Sequence, residues 1–216
     1  MSDRDQDLLL PDGKILRHDN RERVVHWIIA IAFVFLFLSG LALFSPLFFW
    51  LSALFGGGQF MRLLHPFCGV ALVLLFYPYA AKLRGDNRWT AADSDWVRNM
   101  FRYMRKEAHF SDTGKYNAGQ KLMYWSMLPI IAILFLTGIA LWQPWFAPRF
   151  PPGLRRGAGL AHAAMAFVMF VGIGIHWYAA FWTKGSIRAM VRGTVSKAWA
   201  RFHHPGWYRS ITGKNP

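Results

Sequence analysis

At 216 residues with 54% hydrophobic and 17% aromatic content, the chain is short enough for one soluble domain, but its charges are too unevenly placed for one. A single cysteine, Cys68, excludes an internal disulfide and any cysteine-ligated iron–sulfur cluster or structural zinc within the chain. A net charge of +14 would fit nucleic acid in a soluble domain, yet here its distribution points to a membrane and to no nucleic acid.

In chain order, residues 1–23 form a polar tail containing Asp3, Arg4, Asp5, Asp7 and Asp12. The first apolar stretch behind it is a full span, so no cleaved signal peptide is expected. Leu8 to Leu10 are read as resting on the membrane. No Asp, Glu, Lys or Arg lies between Arg23 and Arg62, Arg62 and Lys82, Lys121 and Arg149, or Arg156 and Lys184. About 20 apolar residues cross the hydrocarbon, so spans are predicted at about 24–44, 63–82, 122–143 and 158–182. Each is helical, because an unsatisfied backbone group in lipid costs several kcal/mol and these runs lack the alternation of barrel strands. The fold class is therefore an all-α membrane protein: an up-and-down four-helix transmembrane bundle over residues 24–182.

Ser45-Pro46 ends the first span, and the remainder before Arg62, with Gly56-Gly57-Gly58, is too short to cross. Phe48 to Phe55 is read as an aromatic interfacial segment. Between the second and third spans, Gly85-Asp86-Asn87 gives a turn, and Asp93-Ser94-Asp95 is placed to cap a helix from Trp96 to about Lys106. Val97, Met100, Phe101 and Met104 make its apolar stripe, with Arg98, Arg102 and Arg105 elsewhere. That pattern suits a helix on the membrane surface or one packed against a partner subunit. The basic tail, residues 183–216, interleaves Trp199, Phe202, Trp207 and Tyr208, read as interfacial anchors. With both termini on one side, that side holds all of the 25 Lys and Arg except Arg62, Arg149, Arg155 and Arg156, so the termini and the middle segment are predicted to be cytoplasmic.

Four histidines lie inside the spans, where an ionisable residue is costly and marks function by default. Antiparallel threading pairs them by depth: His26 with His176 toward the cytoplasm, His65 with His162 toward the exterior. His162 and His176 are 14 residues apart on one span, about 21 Å along the axis and within about 40° of the same face. One imidazole fixed in a span often does no more than bond a neighbouring helix; four at matched depths suggest ligands. Haem iron fits, because the porphyrin fills the equatorial positions and the protein adds only two axial groups. Zinc needs three or four protein ligands, and no Asp, Glu or second Cys lies at either depth; Cys68 is read as a packing residue, and Met165 and Met169 as filler. Gly40, Gly69, Gly138, Gly172 and Gly174 leave room between helices. His18, His109, His203 and His204 are read as solvated or lipid-facing, with His203-His204-Pro205 also placed to meet a partner. No carboxylate lies in a span, which argues against the alternative of a histidine-based proton or metal transporter.

Val25-His26-Trp27, Arg62-Leu63-Leu64-His65-Pro66-Phe67, Gly114-Lys115-Tyr116-Asn117-Ala118-Gly119-Gln120-Lys121, Ala161-His162-Ala163 and His176 to Trp182 with Lys184-Gly185-Ser186-Ile187 carry a resemblance, as do His203-His204-Pro205 and Trp207-Tyr208-Arg209. From about Arg21 to Arg209 the chain resembles the cytochrome b, or gamma, subunit of respiratory membrane-bound formate dehydrogenases. The resemblance implies two haem b groups in the bacterial inner membrane, His65 and His162 on the outer iron and His26 and His176 on the inner. It implies an iron–sulfur (beta) partner and a molybdenum- or tungsten-pterin (alpha) subunit that oxidises formate, this chain passing the electrons to quinone. It also implies a quinone pocket beside the inner haem around Asn117, Gly119 and Gln120. The residues alone also allow a plain reading, in which Asn117 caps the third span and Gly119 relaxes the turn. Each electron moved inward against the membrane potential costs about 2.3 kcal/mol per 100 mV, which formate oxidation would supply. The cytochrome subunits of uptake nickel-iron hydrogenase and thiosulfate reductase share this four-span plan; the Gly114 to Lys121 run favours the formate enzyme.

Overall fold

The computed structural model describes residues 8–105 and 112–213. The outer part of the acidic tail, Lys106 and His109 lie outside the described residues, as do the side chains of Tyr103 and Met104. The chain forms two compact units. The first comprises Val25–Ala80 and Ser126–His176; the second comprises the described residues up to Val24, those of Ala81–Trp125 and those from Trp177 onward.

Four helices dominate: α1 (Asn20–Phe44), α2 (Gly58–Leu83), α4 (Ala118–Leu141) and α5 (Pro152–Trp182). Each is long and apolar enough to cross a membrane. They continue past the charge-free blocks because a helix need not stop at the hydrocarbon edge; α5 starts early at Pro152, whose fixed φ suits a first turn. Only 6–17% of their most apolar windows is buried, with Ile31, Leu74, Leu136, Leu160 and Phe167 outward. Such a surface would associate in water and is at home among lipid chains.

Within the first unit, paired contacts fix the helix directions. Cys68 Sγ lies 3.8 Å from the Ala32 carbonyl and His65 meets Ser39, so α1 and α2 run oppositely. Tyr77 donates to the Leu128 carbonyl at 2.9 Å while Phe67 meets Trp142 edge-on, so the same holds for α2 and α4. Phe37 stacks on Phe170 at 4.6 Å and His26 faces His176, which sets α1 against α5. Between α1 and α2, Ser45 caps a 3-10 helix over Pro46–Phe55, which ends at Gly56 in the left-handed region. Its Leu51 packs with Ala42 and Met61, while Leu47, Phe49, Trp50 and Leu54 stay exposed.

The second unit is assembled from distant pieces of chain. Strand β1 (Lys14–Leu16) pairs antiparallel with β2 (Thr194–Ser196), Ile15 opposite Val195. Around it lie α6 (Ser186–Arg192), α7 (Lys197–His203) and α8 (Pro205–Thr212). Ile15, Ala189, Val195, Ala200, Trp207 and Ile211 form the core, with Leu8, Leu9, Trp199 and Tyr208 against it. The predicted membrane contact is thus corrected at Leu8 and Leu9, and the anchor role at Trp207: strand pairing draws the segments around β1 and β2 into one apolar cluster. Trp207 is only 7% exposed, whereas Phe202 remains outward. Gly193 closes this turn with φ +78, and a Cβ there would lie 2.6 Å from the His18 carbonyl oxygen, so no other residue fits.

Helix α3 (Ala91–Met104) begins five residues before the predicted start. Asp93 sits in its first turn and accepts from the Thr90 amide and hydroxyl, both at 2.7 Å, a reach back to the residue before the helix that satisfies an orphan donor. The same carboxylate takes Lys121 Nζ at 2.6 Å, a buried ion pair that ties α3 to the start of α4. Val97 and Phe101 face outward with Arg98, Arg102 and Arg105 also exposed.

Candidate functional site

The four span histidines all belong to the first unit, and they meet as two pairs. His26 and His176 have ring centroids 6.4 Å apart, tilted by 52°; His65 and His162 are also 6.4 Å apart, tilted by 59°. Even if two nitrogens pointed straight at each other, that spacing would leave about 4 Å between them, beyond the roughly 3.2 Å limit of a hydrogen bond. The rings are therefore not bonding each other. An imidazole nitrogen sits about 2 Å from a transition metal, so two rings on opposite sides of one ion hold their centroids about 6 Å apart. Both pairs have that spacing.

Proton positions at one pair follow from its neighbours. His65 Nδ1 lies 2.7 Å from Ser39 Oγ, and His162 Nδ1 lies 2.9 Å from Thr137 Oγ1. A hydroxyl has one hydrogen. Ser39 gives it to the Leu36 carbonyl at 3.2 Å and Thr137 gives it to the Ile133 carbonyl at 2.6 Å, the usual habit of these residues inside a helix. With its hydrogen on that carbonyl, each hydroxyl accepts from Nδ1, an arrangement that leaves Nε2 bare and able to hold a metal. Among the described residues no group of three or more His, Cys, Asp or Glu could hold an ion. Two imidazoles with no third protein ligand suit an ion whose remaining positions are filled by a macrocycle. Cys68 donates instead to a backbone carbonyl, in keeping with a packing role.

Asn117, Gly119 and Gln120 lie in the second unit, at the start of α4. The Asn117 amide nitrogen donates to Gln120 Oε1 and the Gln120 amide donates to Asn117 Oδ1, both at 3.0 Å. This is a reciprocal cap, so the plain reading of Asn117 is realised. It does not exhaust the site: each side chain commits its oxygen and keeps an NH2 that can donate. Gly119 is the second helical residue, where the backbone N–H has no partner within the helix. A Cβ on it would lie 3.4 Å from Trp96 Cη2, so its bareness lets the α3 indole lie close.

Of the remaining described histidines, His18 and His204 are buried and not solvated, contrary to expectation, while His203 is half-buried. His204 is 2% exposed and donates from Nδ1 to the Gly114 carbonyl at 2.7 Å, with Trp199 and Trp207 beside it. Burial, then the nearby Arg17 charge, holds its pKa well below the ordinary histidine value. The same two causes bring His203 down to about 4. His18 is buried against Glu22 at 3.4 Å, with burial again lowering its pKa. His204 and Pro205 thus pack within their own chain. Arg17, missed in the sequence, explains the aromatics of the tail: its buried guanidinium lies 4.9 Å from Trp199 and 5.2 Å from Trp207 and donates to the Lys115 carbonyl at 2.6 Å. Burial lowers its pKa to about 10, so it stays cationic. Ser39 and Thr137 were also missed. The signal was a hydroxyl residue followed by glycine in a charge-free span, Ser39-Gly40 and Thr137-Gly138.

A family profile described as prokaryotic cytochrome b561 matches residues 17–193. The chain is 40% identical over 198 residues to the nitrate-inducible formate dehydrogenase cytochrome b556(Fdn) subunit of Escherichia coli K12, covering 91% of each. It is 39% identical over 197 residues to the formate dehydrogenase cytochrome b556(fdo) subunit of the same strain, covering 91% of this chain and 93% of the relative. A third relative, the formate dehydrogenase cytochrome b556 subunit of Haemophilus influenzae, is 38% identical over 199 residues, 92% of this chain and 84% of its own.

Proposed function

The chain belongs to the prokaryotic cytochrome b561 family, and from that premise we propose that it is the membrane electron-transfer anchor of a formate dehydrogenase complex, holding two haem b groups and delivering electrons to quinone. The observation that carries this is the pair of matched imidazole couples, each at 6.4 Å, with one partner of each couple on α5. The residues fit haem: two imidazoles per site that would hold its iron, a hydroxyl at the Nδ1 of His65 and of His162, and no third ligand among the described residues. When bound, haem supplies iron that accepts and releases one electron at a time.

His65 and His162 would hold one iron, His26 and His176 the other. The concentration of Lys and Arg supports a cytoplasmic side for both termini and the segment between α2 and α4, in a bacterial inner membrane. On that side the spare NH2 groups of Asn117 and Gln120 and the Gly119 amide can donate to a quinone carbonyl, and cytoplasmic water supplies its protons. Electrons would enter from an iron–sulfur subunit served by a molybdenum- or tungsten-pterin subunit that oxidises formate. No catalysis of formate oxidation is assigned to this chain.

A reduced-minus-oxidised spectrum of the purified membrane complex tests the proposal. Two haem b per chain are expected, with the two larger subunits co-purifying; absence of b bands would end it. Gln120→Glu and Asn117→Asp keep the oxygens of the cap and remove the NH2 donors. Quinone reduction should slow in both while both haems still reduce; unchanged turnover at limiting quinone would remove these residues from the pocket.

A further inference from the structure

Two helices of the first unit carry the same two-residue device. On α1, Ser39 bonds the Nδ1 of His65 and Gly40 lies against the same ring, an added Cβ meeting Cε1 at 3.4 Å. On α4, Thr137 bonds the Nδ1 of His162 and Gly138 lies against that ring, an added Cβ meeting Cε1 at 3.5 Å. In each case the hydroxyl belongs to a helix other than the one that carries the histidine. Each ring is thus gripped on its Nδ1–Cε1 edge by a neighbouring helix. The glycine admits the edge and the hydroxyl fixes the proton.

We propose that Ser39-Gly40 and Thr137-Gly138 are matched positioning seats that lock His65 and His162 as Nδ1–H tautomers and lower the reduction potential of the haem between them. This rests on the haem reading above. A ligating imidazole whose other N–H meets an acceptor is the more basic ligand, and a more basic ligand favours the ferric ion over the ferrous. The seats act twice over, because both axial ligands of one iron are treated alike. Each hydroxyl has a backbone carbonyl one turn earlier to take its own hydrogen, so it is placed to accept from the ring once Nε2 holds the iron. Neither seat contains a charge, so the setting is made without placing an ion in the span, where one would be costly.

The test is redox titration of the complete complex carrying Ser39→Ala, Thr137→Val or both, read by optical spectra and low-temperature electron paramagnetic resonance of the ferric haems. We expect haem content near that of the unaltered complex, with one haem raised in potential and the other unmoved. The double variant should raise the electron affinity of that haem about tenfold, which is about 59 mV for one electron. The conservative Ser39→Thr and Thr137→Ser should restore the original value, since each keeps a hydroxyl. If Ser39→Ala loses one haem instead, restoration by Ser39→Thr supports the seat and failure of restoration overturns it. Full haem content with both potentials and both resonance signals unchanged in the double variant also overturns it. Absence of haem from the unaltered complex is a separate result, and it would strike the cofactor reading itself.

Discussion

His65 in the bundle and His204 in the second unit are both fixed at Nδ1 and differ in everything around it. Both rings are held at Nδ1, one by the Ser39 hydroxyl and the other by donating to the Gly114 carbonyl. Across from His65 stands a second imidazole at 6.4 Å, on another helix. Beside His204 stand two indoles at 5.1 and 6.3 Å, and the Arg17 charge acts on it. A cation already occupies that neighbourhood, so a metal would be repelled. Burial and a fixed proton therefore do not single out a histidine as a candidate ligand; what sets His65 apart is a matching imidazole at the spacing of two metal bonds.

The largest effect that could break this contrast is on haem content. His65→Ala should remove one haem and leave the other, halving the pyridine haemochrome signal per chain, whereas His204→Gln should leave the signal whole. Loss of haem from His204→Gln would erase the distinction.

Next in size is the buried ion pair between Asp93 and Lys121. Removing one partner of such a pair costs about 3–5 kcal/mol, so Asp93→Ala should loosen α3 and the start of α4 in amide hydrogen exchange while the haem spectrum holds. A smaller loss, about 2 kcal/mol for a desolvated cation against aromatic faces, is expected for Arg17→Met, measured as exchange of the β1 and β2 amides.

The smallest effect is one of pH. The pKa values of His203 and His204 are depressed in the folded chain, so between about 6.5 and 4 the unfolded chain binds more protons than the folded one. Acidification through that window should weaken the second unit. Below about 4 His203 takes its proton folded as well, and its share of the loss levels off. The slope of stability against pH should flatten in His204→Gln.

The bundle was legible because lipid imposes simple rules: charge-free length gave the helices, and depth gave the histidine pairs without any knowledge of side-chain packing. The second unit obeys no such rule. Pairing of Ile15 with Val195 and the placing of Arg17 among Trp199 and Trp207 join residues about 180 apart in sequence. Aromatics interleaved with basic residues look the same whether they meet headgroups or one buried guanidinium. The seats of His65 and His162 were hidden for another reason: a serine or threonine before glycine is unremarkable until the ring that it serves is seen beside it.

One consequence follows from α5 being an unbroken helix from Pro152 to Trp182 with His162 and His176 both on it. It works as a ruler with two marks, whose separation is fixed by residue count. Inserting a single residue between the marks would swing one ring by about 100° relative to the other and lengthen the gap by about 1.5 Å. No loop lies between them to absorb the slip. Insertions and deletions should therefore be barred from this stretch, whatever its composition, while the connections outside it remain free to vary in length.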